Sequence, residues 1–173
     1  DEIEQRLDEI DREWDIERTS VAVQGAGTMG GAAAWYLHEA GMRVVALGDA
    51  AGTLYDPAGL DVPALLETRD RYSEIDRSVV PARVQRLDRD AVLGMDVDIL
   101  VPAAVSYAIT AENCTRVTAP VVVEAANAAT TADAELDLTA RGIAVVPDFV
   151  ANAGAVAWAW WLLLAAPPLV LAW

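Results

Sequence analysis

Three glycines at a fixed spacing are the feature of this sequence with the clearest chemistry. They lie in the segment Gly25-Ala26-Gly27-Thr28-Met29-Gly30. In a G-x-G-x-x-G pattern the first glycine permits a tight turn, the second lets the backbone approach a pyrophosphate, and the third lets a helix pack closely on a strand. The hydroxyl of Thr28 can also donate to a phosphate oxygen, whereas Met29 suits packing. The segment therefore predicts a site for the phosphates of a dinucleotide.

The elements around this turn are those that such a site needs. An apolar run at 21–24 predicts a strand before the turn, and small residues after it predict a helix that ends at Gly41. A second apolar run at 44–47 predicts the next strand. We expect the helix N-terminus to present free N–H groups and a partial positive charge to the phosphates.

Asp49 ends the second predicted strand, 24 residues after Gly25. A carboxylate at this place can accept hydrogen bonds from the adenosine ribose hydroxyls, and its charge repels a 2′-phosphate. The alternative is a solvated aspartate in a turn. No arginine or histidine lies between Val44 and Thr68, so the local charge favours NAD over NADP.

Apolar strands and helices alternate along the rest of the chain. We expect helices near 62–69, 110–117 and 132–141, and strands at 98–101, 121–123 and 143–146. Short apolar strands separated by helices predict a parallel sheet covered on both faces. The expected fold class is α/β, a Rossmann-like, doubly wound, mostly parallel sheet with helices on both faces.

Composition excludes several classes of function. The chain has 173 residues, 27 acidic and 12 basic, with a formal net charge of −15, which repels nucleic acid. All the basic residues are arginine, so lysine chemistry is absent. The single cysteine, Cys114, excludes an internal disulfide, and the only histidine, His38, lies in another predicted element. We expect a cytoplasmic protein without a metal site.

An ordered set of blocks resembles the glutamate/leucine/phenylalanine/valine dehydrogenase family over residues 19–156. The blocks are Val21-Ala-Val-Gln-Gly-Ala-Gly, Leu54-Tyr-Asp-Pro-Ala-Gly-Leu-Asp-Val, Asp96-Val-Asp-Ile-Leu-Val-Pro-Ala-Ala, Ile109-Thr-Ala-Glu-Asn, Val123-Glu-Ala-Ala-Asn-Ala-Ala-Thr-Thr and Val146-Pro-Asp-Phe-Val-Ala-Asn-Ala-Gly. The region is most like the C-terminal NAD(P)-binding domain of the glutamate members. Other Rossmann enzymes share the first block but not the set.

The resemblance implies oxidative deamination of an L-amino acid, glutamate first, to a 2-oxo acid and ammonia, with the hydride passing to the nicotinamide. It also implies that Ala103 and Ala104 approach the nucleotide, Asn127 the nicotinamide ribose, and Asn152 the carboxamide or the substrate. The alternatives are that the alanines only pack and that the asparagines cap turns.

The family's catalytic lysine and aspartate lie in an upstream substrate domain. This lysine-free chain offers no catalytic residue, so we expect it to bind cofactor and to act on an amino acid only if a substrate domain is supplied. The resemblance also implies a homo-oligomer. Two alternatives are a noncatalytic NAD(H)-binding module and a different Rossmann oxidoreductase, such as a hydroxy-acid dehydrogenase.

We divide the chain into an acidic amphipathic helix at 1–18, a dinucleotide-binding domain at 19–156 and a divergent apolar tail at 157–173. No charge follows Asp148. The tail is long enough for a membrane anchor, but Pro167-Pro168 interrupts it and no basic residue flanks it. A helix buried against another domain is a second interpretation. We favour a third, an aberrant or frameshifted end, because the resemblance stops abruptly after Val156.

Overall fold

The computed structural model describes residues 15–154, and its centre is one sheet. The strands are β1 (Ser20–Gln24), β2 (Arg43–Asp49), β3 (Gly52–Tyr55), β4 (Gln85–Leu87), β5 (Ile99–Pro102), β6 (Val121–Val123) and β7 (Ala144–Val146). Their order across the sheet is β4-β3-β2-β1-β5-β6-β7. Five strands run parallel, and β3 and β4 pair antiparallel at one edge.

Helical elements cover both faces of this sheet. They are α1 (Thr28–Glu39), α2 (Val62–Glu67), α3 (Ala132–Ala140), α4 (Asp148–Ala151) and two 3-10 turns at Arg89–Gly94 and Cys114–Arg116. Residues of α1 and α2 belong to one apolar core, and residues of α3 and both 3-10 turns belong to another. The predicted doubly wound α/β fold is therefore confirmed.

The three middle residues of the central strand β1 are apolar because the strand is buried on both faces. Val21 and Val23 of β1 pack in the core with α1, while Ala22 between them packs in the opposite core. All three are fully buried. Successive side chains of a strand point to opposite faces, so a strand at the centre of a doubly covered sheet has no position for a polar side chain.

Gly41 ends α1 as the sequence predicted. Its φ of +92° is left-handed, which favours glycine. The N–H of Gly41 donates to the oxygen of His38 (2.9 Å), and the N–H of Met42 donates to that of Leu37 (3.0 Å). This pair of bonds is a Schellman motif, and it turns the chain directly into β2.

The hairpin of β2 and β3 was not predicted. Ala50 and Ala51 connect the two strands, and neither is a residue that favours turns. The turn is instead stabilised by Asp49, whose Oδ1 accepts from the N–H groups of Ala51 (2.9 Å) and Gly52 (3.2 Å). A side chain that satisfies the backbone of its own turn replaces the usual sequence signal.

The predicted helix near 110–117 is wrong. This segment contains one turn followed by the short 3-10 turn Cys114–Arg116. Asn113 accounts for the difference, because its Oδ1 accepts from the N–H of Thr110 (2.8 Å) and its Nδ2 donates to the oxygen of Ala108 (2.9 Å). Asparagine that bonds to nearby backbone in this way competes with helix hydrogen bonding.

The predicted terminal segments lie mostly outside the described residues. Of the acidic helix at 1–18, the structure describes only 15–18, which form a turn, and the tail at 157–173 lies wholly outside. Within 15–154, no helix is both long and apolar enough to cross a membrane.

The order of the strands locates the site. From β1 the chain moves outwards through β2, β3 and β4, and then returns to the other side of β1 to form β5, β6 and β7. The connections after β1 and β5 therefore leave in opposite directions. Open α/β sheets bind ligands in the crevice at the carboxyl ends of the strands where this reversal occurs.

Candidate functional site

A cavity of about 690 Å³ lies at the carboxyl ends of β1, β2 and β5. It contains most of the residues predicted to bind a cofactor: Gly25, Gly27, Thr28, Met29, Asp49, Ala103 and Ala104. Three others lie outside its lining. Gly30 is buried behind the turn, and Asn127 and Asn152 lie in neighbouring loops.

The three glycines meet different surroundings. Gly25 has a φ of +109°, and its N–H donates to the oxygen of Gly48 at the end of β2 (2.9 Å). A Cβ on Gly30 would overlap the carbonyl oxygen of Gly25 and lie 2.7 Å from its carbonyl carbon. A Cβ on Gly27 would meet nothing within 4 Å. The first and third glycines are therefore required by the fold, and the second leaves space open in the cavity.

The N-terminus of α1 borders this open space. Gly27 is its N-cap and provides no side-chain cap, and the first turn carries no acidic residue. The first N–H groups of a helix have no partner within the helix, and the helix dipole adds a partial positive charge there. With Gly27 and Thr28 in the cavity wall, this end of α1 suits an anionic group.

Arg69 holds the glycine turn from its other side. Its Nη1 donates to the oxygens of Ala26 (2.7 Å) and Gly27 (3.4 Å), and its Nε donates to the oxygen of Leu66 (2.9 Å). The arginine thus links α2 to the turn through two oxygens that precede the helix. The sequence carried no signal for this contact, which joins residues more than forty positions apart.

Asp49 is not a free carboxylate at the cavity. Its side chain is only 2% exposed, and it accepts from the N–H groups of Ala51, Gly52 and Ile75 and from both terminal nitrogens of Arg77. Burial raises the pKa of Asp49, but the hydrogen bond from Arg77, the N–H of Ile75 and the charge of Arg77 outweigh it, so the pKa is lowered. The predicted contact of Asp49 with ribose hydroxyls stays a prediction.

Two arginines that the sequence argument did not count lie at the end of β2. Arg77 is paired with Asp49, and Arg89 lines the cavity beside Asp90. Both follow the interval between Val44 and Thr68, which contains no arginine or histidine. The approach of Arg77 to Asp49 depends on the path of the chain after α2, and that segment has no periodic sequence pattern that would reveal it.

The loop after β5 forms the opposite wall. Ala103 belongs to the core below the glycine turn, so its side chain packs, whereas Ala104 is exposed towards the cavity. Val105 and Tyr107 also line the cavity and are more than half exposed. Tyr107 has a left-handed φ of 58°. This wall is apolar, while the β2 side carries the charges.

Asn127 and Asn152 are brought together beside the cavity. The Nδ2 of Asn152 donates to the Oδ1 of Asn127 (2.8 Å). Their loops adjoin the cavity wall, since the N–H of Ala126 donates to the oxygen of Pro102 at the end of β5 (2.9 Å) and the N–H of Tyr107 donates to the oxygen of Ala128 (2.8 Å). Residues from two separate sequence blocks therefore form one polar pair.

Two carboxylates, which the sequence reasoning missed, join these loops. Buried Glu124 accepts from the N–H groups of Thr130 (2.6 Å) and Asp148 (3.1 Å). The Oδ2 of Asp148 accepts from the N–H of Ala128 (2.7 Å). The available signal was a glutamate directly after the apolar strand β6, because a buried carboxylate needs hydrogen-bond donors.

The cavity fits a dinucleotide. It offers an uncapped helix N-terminus and open space in front of Gly27, both of which suit a pyrophosphate. The Oε1 of Gln24, in the cavity wall at the end of β1, is buried without a hydrogen-bond partner. A buried acceptor of this kind needs a donor, which a water molecule or a ribose hydroxyl of a dinucleotide can supply.

The sequence profile described as Glutamate/Leucine/Phenylalanine/Valine dehydrogenase matches residues 3–161. The catabolic NAD-specific glutamate dehydrogenase RocG of Bacillus subtilis is 41% identical over 141 residues, which are 82% of this chain and 32% of that protein. The cryptic catabolic NAD-specific glutamate dehydrogenase GudB of the same species is 43% identical over 142 residues, with the same two shares. The chain thus spans about a third of the length of these relatives.

A solved structure with the same architecture is the hetero-hexameric glutamate dehydrogenase of Thermus thermophilus in its Leu-bound form. It is 33% identical, with a TM-score of 0.74 over 86% of this chain and 34% of that one.

Proposed function

This chain belongs to the glutamate/leucine/phenylalanine/valine dehydrogenase family, and from that premise we propose that its cavity is the NAD site of an amino-acid dehydrogenase. The observation that carries the proposal is the uncapped N-terminus of α1 beside the open space at Gly27. Relatives named as NAD-specific support NAD over NADP. Their names also make glutamate the first substrate to test.

The two walls of the cavity suggest how the cofactor lies. The pyrophosphate is placed at Gly27 and the first turn of α1. The adenosine is placed on the β2 side, where Tyr72 offers an aromatic ring already stacked with Arg71 (4.6 Å to the ring centroid). The nicotinamide is placed towards the β5 loop, so that its carboxamide and ribose come near Asn127 and Asn152.

The side chains of Asn127 and Asn152 keep one donor and one acceptor that their mutual hydrogen bond does not use. One bond joins the Nδ2 of Asn152 to the Oδ1 of Asn127, which leaves the Nδ2 of Asn127 as a donor and the Oδ1 of Asn152 as an acceptor. A carboxamide has a carbonyl oxygen and an amino group, so it needs one donor and one acceptor from the protein. Glu124 and Asp148 keep the two loops together, so the pair is ordered before the ligand arrives.

In this proposal the bound nicotinamide accepts hydride from the α-carbon of the amino acid, and the residues of this chain bind and orient the cofactor. No catalytic residue is assigned to the chain, which has no lysine. Turnover therefore requires a lysine-bearing substrate domain, and assembly into a homo-oligomer is part of the proposal. Family membership argues against a hydroxy-acid dehydrogenase, and a noncatalytic NAD(H)-binding module is the second candidate.

A fluorescence titration of the chain with NADH tests the proposal. We expect saturable binding that AMP displaces, and no glutamate-dependent reduction of NAD by the chain alone. Addition of a lysine-bearing substrate domain from a relative separates the two candidates, because only the dehydrogenase gains activity. Absence of NADH binding at millimolar concentrations would refute the NAD site.

A further inference from the structure

In the ion pair at the end of β2, Asp49 depends on Arg77 for its stability in the fold more than Arg77 depends on Asp49. Arg77 makes four hydrogen bonds through its terminal nitrogens: two to Asp49, and one each to the backbone oxygens of Ile75 (2.9 Å) and Gly52 (3.2 Å). Those oxygens would hold the guanidinium near its present place without Asp49. Asp49, in contrast, is a buried carboxylate, and within residues 15–154 Arg77 is the one cation paired with it.

Asp49 separates Arg77 from the cavity. Asp49 belongs to the cavity wall, whereas Arg77 does not and is 21% exposed. The carboxylate therefore shields a guanidinium that is already ordered behind it. A planar guanidinium with fixed donors is well suited to bind a phosphate through two bonds.

We propose that Arg77 is a specificity-determining residue of the cofactor site: paired with Asp49 it excludes a 2′-phosphate, and released from Asp49 it binds one. The inference rests on the proposed NAD site. An incoming 2′-phosphate would meet the Asp49 carboxylate, and it cannot take Arg77 without leaving that buried charge unpaired, which is strongly unfavourable. Discrimination against NADP is thus a property of the Asp49–Arg77 ion pair and not of an unpaired aspartate.

Arg89 is the competing cation, because it also lines the cavity. Its side chain is 69% exposed, and it meets Asp90 at 3.5 Å, so water and salt weaken its attraction for a phosphate. Arg77 is more buried and already oriented by two backbone oxygens. The proposal therefore assigns the 2′-phosphate to Arg77 and makes Arg89 the control.

The test compares adenosine 2′,5′-bisphosphate with AMP as competitors of NADH, so that the 2′-phosphate is the only difference between the probes. The variants are Asp49→Ser, Asp49→Ser with Arg77→Gln, and Asp49→Ser with Arg89→Gln. Asp49→Asn is a second single variant, because its amide oxygen can still accept from the N–H groups of the β2–β3 turn. Circular dichroism monitors folding of each protein.

We expect the wild type to bind AMP at least as tightly as the bisphosphate. Asp49→Ser should raise the affinity for the bisphosphate relative to that for AMP at least tenfold over the same ratio in the wild type. The gain should disappear with Arg77→Gln and persist with Arg89→Gln. A gain that survives Arg77→Gln, or no gain in either single variant, would overturn the proposal.

Other outcomes are also decisive. If Asp49→Ser does not fold, the same comparison is made with Asp49→Asn, alone and with Arg77→Gln, because its amide oxygen still accepts from the N–H groups of the turn. If the wild type binds NADH and the Asp49 variants gain nothing, only this inference fails. If the wild type binds neither NADH nor AMP, the proposed function fails and this inference fails with it.

Discussion

The glycine turn permits a test in which one methyl group should change binding and another should change stability. Gly27→Ala adds its Cβ where nothing of the protein lies within 4 Å, and the φ of −69° at Gly27 is ordinary for alanine. Gly30→Ala places its Cβ over the carbonyl oxygen of Gly25 and 2.7 Å from that carbonyl's carbon. The substitutions are chemically identical and lie three residues apart.

The two variants should differ in the free energy of unfolding. For Gly27→Ala we expect a change below about 1 kcal/mol, because the weaker N-cap and the lower entropy of the unfolded chain oppose each other. Gly30→Ala gains about 1 kcal/mol of helix propensity. Its methyl group, however, meets backbone that moves only if α1 shifts from β1, and overpacking of this kind costs about 1–3 kcal/mol or more. Because this Cβ overlaps backbone and not a flexible side chain, we expect the upper part of that range and a net loss of about 2 kcal/mol or more.

Gly27→Ala, the variant that keeps its stability, should be the one that loses affinity for NADH. The methyl group of Gly27→Ala occupies the space assigned to the pyrophosphate, so we expect at least a tenfold loss of affinity, about 1.4 kcal/mol, in a protein of nearly normal stability. Urea unfolding and NADH titration measure the two quantities. Gly94→Ala is the control, because its Cβ would make an ordinary 3.4 Å contact away from the cavity. Unchanged NADH affinity in Gly27→Ala, or wild-type or higher stability in Gly30→Ala, would refute this reasoning.

Two further predictions concern the carboxylates. Glu124→Gln places an amide donor opposite the N–H of Thr130 or Asp148, so we expect a loss of about 1–3 kcal/mol in the free energy of unfolding. Because Glu124 positions the loops of Asn127 and Asn152, NADH should also bind more weakly, whereas AMP should not. Equal losses for both ligands in competition titrations would contradict this positioning role of Glu124. Because the pKa of Asp49 lies below its ordinary 3.8 in the folded state, its contribution is complete above that value and is lost as the pH falls through the folded pKa. Urea midpoints between about pH 5 and about pH 2 should therefore fall more steeply in the wild type than in Asp49→Asn, and parallel curves would count against it.

Local signals were sufficient where a residue's role depends on its own backbone or on its immediate neighbours. The strand before Gly25 and the helix after it follow from apolar runs and small residues, and Gly41 ends the helix because its φ is left-handed. The ordered blocks also placed the chain in its family. These features need no knowledge of what packs against them.

Local signals were misleading where a distant or polar contact determines the conformation. The helix expected near 110–117 is replaced by a 3-10 turn, since Asn113 bonds to adjacent backbone and Arg141 donates to the oxygens of Cys114 (2.7 Å) and Val117 (3.0 Å). The β2–β3 hairpin depends on the carboxylate of Asp49 and not on typical turn residues. Helix and turn propensities are weak compared with such contacts.

The sequence by itself therefore determined the glycine turn, the doubly wound sheet and the family, because glycine conformation and apolar periodicity are properties of short segments. Only the tertiary structure decided the electrostatics of the site. The same Asp49 that ends a strand 24 residues after Gly25 is held by Arg77, which comes from a segment without periodic pattern. Electrostatic interactions act through space and are strongest where water is excluded. Which charges meet is therefore set by the three-dimensional path of the chain, and the order of residues in the sequence does not reveal it.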